Sequence, residues 1–296
     1  IISANDKEYP KKLKKIKDYP VFLYLKGKKL KDYEKIKIDK DKISVENKRN
    51  IAVVGTRRAT KFGKTACEKI VNELVNYDVT LISGLAEGID TVALKTALDK
   101  GIEVVSVVGT GLDIVYPYDN RGLWERIAET GTIISEYPLG TQPTRWTFPR
   151  RNRIIAGMSD GILVAESFKK GGALITAELG FSMNREIFAI PGFINYPSFE
   201  GCNDLIKNNK AKLTTCGNDI AIEFLWDIKK EKSKLQKLTE EEQIVFEVIT
   251  EEVSFEQILQ NVKEKIEKNK LFSVIMSLKI RGLITETNGA KYIRIV

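Results

Sequence analysis

The sequence predicts an α/β fold: a doubly wound, mostly parallel sheet with helices on both faces, followed by a small unit of three helices and a hairpin. Three observations carry that expectation. Six short runs of β-branched residues recur between positions 51 and 192, each closed by a glycine or a turn. Helical patterns fill the intervals, as the crossovers between parallel strands require. The runs are apolar at nearly every residue rather than at alternate ones, so both faces of the sheet are covered.

Taken in order, residues 1–50 form a lysine-rich N-terminal extension of the core, anchored by Tyr9, Tyr19, Val21, Phe22 and Tyr24. The core spans 51–228, with strands at 51–55 (IAVVG), 79–84 (VTLISG), 103–109 (EVVSVVG), 132–135 (TIIS), 161–165 (GILVA) and 186–192 (EIFAIPG). Helices are read between them, for example at 63–76 and 90–100. On such sheets ligands bind outside the carboxyl ends of the strands, near the point where strand order reverses. The residues just after each strand are therefore the ones that matter. A polar stretch, 229–237, reads as a linker, and 238–296 as a winged-helix domain. Its helices fall at 239–249, 254–262 and 269–281, and its hairpin over 285–296 turns at Asn288-Gly289. Thr239 with Glu242 has capping-box spacing, and Ser254 is a second cap.

Composition removes many function classes. The 296 residues contain no histidine, which excludes a Ser-His-Asp triad, an HExxH zinc site and a Cys-His pair. Carboxylates show no ligand-like spacing, so no metal is expected. Cys67, Cys202 and Cys216 are odd in number and far apart, which points to a reducing cytoplasm and no disulfide framework. No apolar run reaches the ~18 residues of a membrane span, and the first residues lack the pattern of a secretory signal. The formal charge of +8 comes from 48 basic and 40 acidic side chains. Residues 1–50 carry 16 basic against 8 acidic, 51–228 carry 19 against 21, and 229–296 carry 13 against 11. The excess thus equals that of the first fifty residues, where mixed lysines and acids read as a solvated surface.

The first strand is followed by Gly55-Thr56-Arg57-Arg58, leading to Gly63-Lys64-Thr65. This is not a P-loop, because position 58 is arginine where that motif needs glycine. It leaves two readings open: an anion site at a helix N-terminus with two guanidiniums beside it, or a tight turn with solvent-facing arginines. Ser83-Gly84 and Gly88 follow the second strand, with Asp90 placed to cap the next helix; Gly109-Thr110-Gly111 follows the third, with Asp113 and Tyr116-Pro117 beyond. Arg145-Trp146-Thr147-Phe148-Pro149-Arg150-Arg151-Asn152-Arg153 packs four arginines and two aromatics into nine residues of a net-acidic region. Guanidiniums fit phosphates and aromatic rings stack bases, so a binding role is favoured there. The competing reading has Phe148 anchoring the loop while arginines pair with acids such as Glu136 and Glu166.

Together, VVGTRRATKFG, LISGLAEGID, VVGTGLDIVYP, SEYPLGTQPTRWTFPRRNRIIAGMSDGILVAES, GGALITAELG and REIFAIPG resemble, in this order, the DprA/Smf family (DNA-processing protein A) over roughly residues 9–225. The resemblance implies a Rossmann-like core and a non-enzymatic role. The family binds and protects single-stranded DNA during natural transformation, loads RecA onto it and acts as a homodimer, without a cofactor. Its binding pocket carries over to Gly55, Thr56 and Arg57; to Ser83, Gly84 and Gly88; to Gly109 and Gly111; and to Phe148, Arg150, Arg151, Asn152 and Arg153. Arg57 is the first expected phosphate ligand, Arg151 and Arg153 flank the strand's path, and Arg58, Arg145 and Trp146 are further contributors. Leu94 stands where the family has histidine, GGALITA replaces a Ser-Gly-Ser start, and NDLIKNNKAKL carries extra polar residues.

Two other readings compete. A nucleotide phosphoribohydrolase on a related fold would use Glu166 or Glu178 as acid-base groups. A DNA-binding regulator would use 269–281 as a recognition helix, but that segment holds few cations (Lys270, Lys279, Arg281) among many apolar residues.

Overall fold

The computed structural model describes residues 1–28, 30, 34–39, 42–47, 49–226, 238–249, 252–263, 265–280, 283–287 and 291–294. The expected linker at 229–237 and the turn at Asn288-Gly289 lie outside them. The chain divides into two compact units, Ile1–Lys229 and Lys230–Val296.

The first unit opens with β1 (Ile2–Ser3), α1 (Lys11–Lys14), β2 (Phe22–Gly27), β3 (Glu34–Asp39) and β4 (Lys42–Asn47). There follow β5 (Arg49–Val54), α2 (Lys61–Glu73), β6 (Val79–Ser83), α3 (Ile89–Asp99), β7 (Glu103–Val108), α4 (Arg121–Thr130) and β8 (Thr132–Ser135). The remainder is α5 (Thr147–Met158), β9 (Gly161–Val164), α6 (Gly172–Ser182), β10 (Glu186–Ala189), α7 (Glu200–Lys207), β11 (Lys212–Leu213) and α8 (Gly217–Glu223). The strand order is β1-β2-β8-β7-β6-β5-β9-β10-β11, while β3 and β4 form a separate antiparallel ribbon. From β8 to β11 every pairing is parallel. The fold is α/β with a mostly parallel central sheet.

Two apolar layers hold it. On one face Cys67, Ile70 and Val71 of α2, Ala93 and Leu94 of α3, and Trp124 and Ile127 of α4 pack on the sheet. On the other, Leu13 of α1, Ile154 and Ile155 of α5, Ala177 of α6, and Cys202 and Leu205 of α7 do so. The chain thus lays helices on one face as it runs from β5 out to β8, then crosses to β9 on the other side of β5 and uses the opposite face for α5 to α7, before Ile220 and Ala221 of α8 return to the first. The reversal lies between β5 and β9, whose carboxyl ends are in register (Val54 opposite Val164). Leu94, at the position of the family's histidine, is wholly inside the first layer. All three cysteines are free, two of them buried.

The N-terminal extension contributes to the same sheet. β2 pairs antiparallel with β8 (Tyr24 opposite Ser135), and β1 caps it. Lys12 of α1 reaches Asp160 at 2.6 Å, tying this segment to the turn before β9.

The second unit contains α9 (Glu240–Val248), β12 (Val253–Ser254), α10 (Phe255–Val262), α11 (Lys268–Ile280), β13 (Ile284–Thr287) and β14 (Lys291–Arg294), with sheet order β12-β14-β13. Thr239 with Glu242, and Ser254 with Gln257, form capping boxes, so two first turns satisfy their own free amides. Val245, Ile258, Leu271, Ile275, Leu278 and Tyr292 belong to its core. Among the described residues no helix is long and apolar enough to cross a membrane.

Candidate nucleic-acid interface

The loops leaving β5, β6 and β7 meet the first turns of α5 at the carboxyl edge of the sheet. Arg57 and Arg58 are both exposed there, and among the described residues neither pairs with a carboxylate. The Arg57 guanidinium lies 5.1 Å from the centre of the Phe148 ring, and Phe148 is 5.5 Å from Tyr116. Stacking on the ring orients the guanidinium while leaving its N–H edge available. Between Arg57, Gly84, Glu87, Tyr116, Phe148 and Arg151 is a cavity of about 50 Å³.

The turn that carries Arg57 is held from below. Thr56 N–H donates to the Glu166 carbonyl at 2.8 Å, and Ile89 N–H donates to the Thr56 carbonyl at 3.2 Å. Thr60 caps α2, its hydroxyl accepting from Gly63 N–H at 3.0 Å. The Glu166 carboxylate accepts from Thr60 N–H at 2.9 Å and from its hydroxyl at 3.2 Å. Gly88 passes directly beneath: its φ is +78°, and a Cβ there would sit 2.3 Å from the Thr56 carbonyl oxygen. Only glycine meets both demands. Leu85, also left-handed at φ 61°, is fixed by complete burial and by Asn120, whose amide donates to its carbonyl at 2.9 Å.

Arg151 forms the floor. Its side chain is buried and donates through Nη1 to the Gly84 carbonyl at 2.5 Å and to the Val107 carbonyl. Asp90 lies beside it against Gly84, where a Cβ would be 2.6 Å from both the carboxylate and the guanidinium, and it accepts from Gly84 N–H at 3.1 Å and Ala86 N–H at 3.4 Å. Helix α3 is thus preceded by Gly88 at the cap position, and Asp90 braces the preceding loop. Burial pushes the Asp90 carboxyl up to about 6, against the opposing pull of Arg151, the two amides and Arg57. Burial likewise lowers Arg151 to about 10, against the pull of Asp90.

The remaining expected residues divide. Phe148 lines the cavity with Arg57, Gly84 and Arg151. Gly55 and Thr56 form the turn beneath Arg57, and Gly109 makes room for Phe148, whose ring would lie 3.2 Å from a Cβ there. Arg150 is exposed and 3.4 Å from Glu136. Half-buried Asn152 accepts from Arg151 Nε at 3.2 Å. Two expectations need correction. Ser83 is wholly buried, its hydroxyl donating to the Val53 carbonyl at 2.6 Å, so it faces the core. Arg153 is buried too: Nη2 donates to Glu136 at 2.5 Å and Nε to Asp18 at 3.0 Å, which staples α5 to the N-terminal segment. Gly111 turns toward Asp113 and the Pro138 carbonyl, away from the cavity. Arg145 and Trp146 are exposed and stacked on each other at 4.7 Å. Tyr116, Ala86 and Glu87 line the cavity without having been expected to; the aromatic after the third glycine loop was the available signal.

The sequence profile of the DNA recombination-mediator protein A family matches residues 1–225. The chain is 41% identical to DNA processing protein DprA of Streptococcus pneumoniae over 222 residues, covering 75% of this chain and 73% of that one. It is 34% identical to the Bacillus subtilis DprA over 219 residues (74% and 69% covered), and 40% identical to Protein Smf of Synechocystis over 207 residues (70% and 50% covered). The chain therefore spans about half the length of the Synechocystis protein. The solved S. pneumoniae DprA superposes with a TM-score of 0.68 at 40% identity, covering 75% of this chain and 73% of that one. The Helicobacter pylori DNA processing protein A, whose structure was described for its single-stranded DNA binding mode, superposes with a TM-score of 0.62 at 27% identity, covering 73% and 92%. With this sheet order, this edge and these matches, the chain belongs to the DNA recombination-mediator protein A (DprA/Smf) family.

Proposed function

We propose that the chain binds single-stranded DNA at the carboxyl edge of its sheet, without sequence preference and without a cofactor. The observation that carries this reading is Arg57: an exposed guanidinium with no carboxylate partner among the described residues, stacked on Phe148 at the mouth of a cavity. A phosphate there meets a pre-oriented fork of donors, and a neighbouring base has Phe148 and Tyr116 rings to stack on. Arg58 extends the cationic surface; Arg151, Gly84 and Gly88 shape the floor and turn.

Family membership supports the larger role: protection of the incoming strand in natural transformation, loading of RecA, action as a homodimer and a cytoplasmic location. The three helices and three-stranded sheet of the second unit support a winged-helix domain. Its α11 buries Leu271, Val274, Ile275 and Leu278, while Lys270 and Lys279 pair with Glu241 and Glu286. That arrangement favours packing or partner contact over reading of a major groove. The role is one of binding, not catalysis. The Glu166 carboxylate is enclosed and engaged by Thr60, and Glu178 is exposed on α6, so neither lines the cavity as a phosphoribohydrolase would need.

The test is a binding titration with oligo(dT) and with duplex DNA across salt. Arg57→Ala should weaken oligo(dT) binding by about 10- to 150-fold, the worth of one charge-assisted contact at about 1.5–3 kcal/mol. It should also make the slope of log affinity against log salt shallower by about 0.7. Equal preference for duplex, or an unchanged slope in the variant, would refute the reading.

A further inference from the structure

A second aromatic surface occupies the same edge of the sheet. Phe193 and Tyr196 stand on the loop after β10, 61% and 50% exposed, and Phe62 of α2 is 44% exposed. The Phe62 and Phe193 ring centres are 5.5 Å apart, and those of Phe193 and Tyr196 5.7 Å. Wholly buried Phe199 supports them, 5.4 Å from Phe62. The loop is rigidly tied: Gly192 and Asn203 exchange two hydrogen bonds of 3.1 Å, and Tyr196 N–H donates to the Phe193 carbonyl at 3.0 Å. Three neighbouring rings, two on a braced loop and one on the first turn of α2, mark an interaction site rather than stray surface residues.

The chemistry around the rings selects the partner. Arg58, Lys61, Lys169 and Lys170 are all exposed on the adjoining turns. The Arg58 guanidinium sits 5.8 Å from the Phe168 ring, and Lys169 has only a 4.0 Å approach to Asp204. Lysines are depleted from protein–protein interface cores, whereas rings interleaved with cations are what unpaired bases and their phosphates require. Position agrees. β5, β9 and β10 are consecutive neighbours in the sheet, so the loop after β10 lies about 10 Å along the edge from the turn after β5. That is a short step within the ~4–16 nucleotides that single-strand sites cover.

We propose that Phe62, Phe193 and Tyr196 form a base-stacking platform for single-stranded nucleic acid, continuing the path that starts at Arg57 and passes Arg58. This rests on the single-strand reading above. The experiment uses the full chain and labelled oligo(dT), followed by anisotropy across salt, with sedimentation to record assembly. Phe193→Ala with Tyr196→Ala should lower affinity by about 5- to 150-fold for each base that loses its ring, leaving the salt slope as in the parent. Phe193→Trp with Tyr196→Trp should retain binding, and Phe193→Leu with Tyr196→Leu should lose it, because leucine keeps the apolar surface without the stacking face. Parent-like affinity in the alanine or leucine pair overturns the platform, while Arg57→Ala still weakening binding leaves the Arg57 site standing. A change of assembly state with affinity intact assigns the patch to a protein partner and also overturns it. Failure of the parent chain to bind oligo(dT) removes both proposals.

Discussion

Replacing Arg151 by alanine separates two meanings of an arginine in a binding motif. In the sequence it flanks the expected path of the strand; in the fold it is a buried brace. Its Nη1 donates to the carbonyls of Gly84 and Val107, and its guanidinium shares with the Asp90 carboxylate the space that a side chain on Gly84 would fill. Alanine orphans two buried acceptors, at about 1–3 kcal/mol each, and removes the cation that offsets the Asp90 carboxylate. These are not additive, and a total of about 3–5 kcal/mol follows from the loss of one member of a buried charge pair. For a unit of this size that lowers Tm by roughly 6–20 °C. The assay is thermal unfolding followed by circular dichroism, paired with oligo(dT) titrations well below both transitions. Affinity should fall because the Gly84 loop and the Phe148 helix lose their tie, yet the salt slope should stay within a few tenths of the parent's. A variant that melts with the parent while its salt slope drops by about 0.7 would refute the reasoning and make Arg151 a phosphate ligand.

Other expectations follow from the same site. The Asp90 carboxyl titrates near 6 when folded, against an ordinary value of 3.8, so the native state holds a proton that the unfolded chain releases. Stability from this group is therefore greatest below about pH 4 and declines by about 3 kcal/mol as pH rises through 6. Asp90→Asn should remove that step from the difference between variant and parent melting curves; parallel curves from pH 4 to 7 would contradict it. Gly88→Ala should cost about 2 kcal/mol or more and displace the Arg57 turn, weakening oligo(dT) binding. Gly101→Ala, with φ +71° and no atom within 4 Å of the added Cβ, should cost only about 1–2 kcal/mol and leave binding intact. A shortened chain of residues 1–229 should bind oligo(dT) like the full one, since every residue named at the edge lies in the first unit; loss of binding would move the site.

Much of the fold is legible because buried parallel strands advertise themselves. β5 to β10 are β-branched runs that end where glycines or turns begin, and their boundaries agree with expectation to within a few residues. The join of β2 to β8 was less legible. Its antiparallel pairing depends on a contact between residues over a hundred positions apart, and in Phe22–Gly27 only Leu23 is buried, instead of the whole run being apolar and enclosed.

Arginines are where the two levels of description part. The sequence alone determines that four of them cluster between positions 145 and 153, that no histidine chemistry is available, and that glycine loops follow the strands. It cannot say which guanidiniums meet water, because helix periodicity turns neighbours on α5 to opposite surroundings: Arg150 outward, Arg151 under the Gly84 loop and Arg153 onto Glu136 and Asp18. Those acceptors come from β7, the loop after β6, the segment after β8 and the N-terminal extension, and only packing brings them together. Tertiary structure therefore decided that Arg57 and Arg58 stand exposed at the edge with no carboxylate partner among the described residues, and that the richest arginine motif in the chain is partly framework. A buried guanidinium persists only where carbonyls and carboxylates replace its water, and that replacement is a property of the fold rather than of the motif.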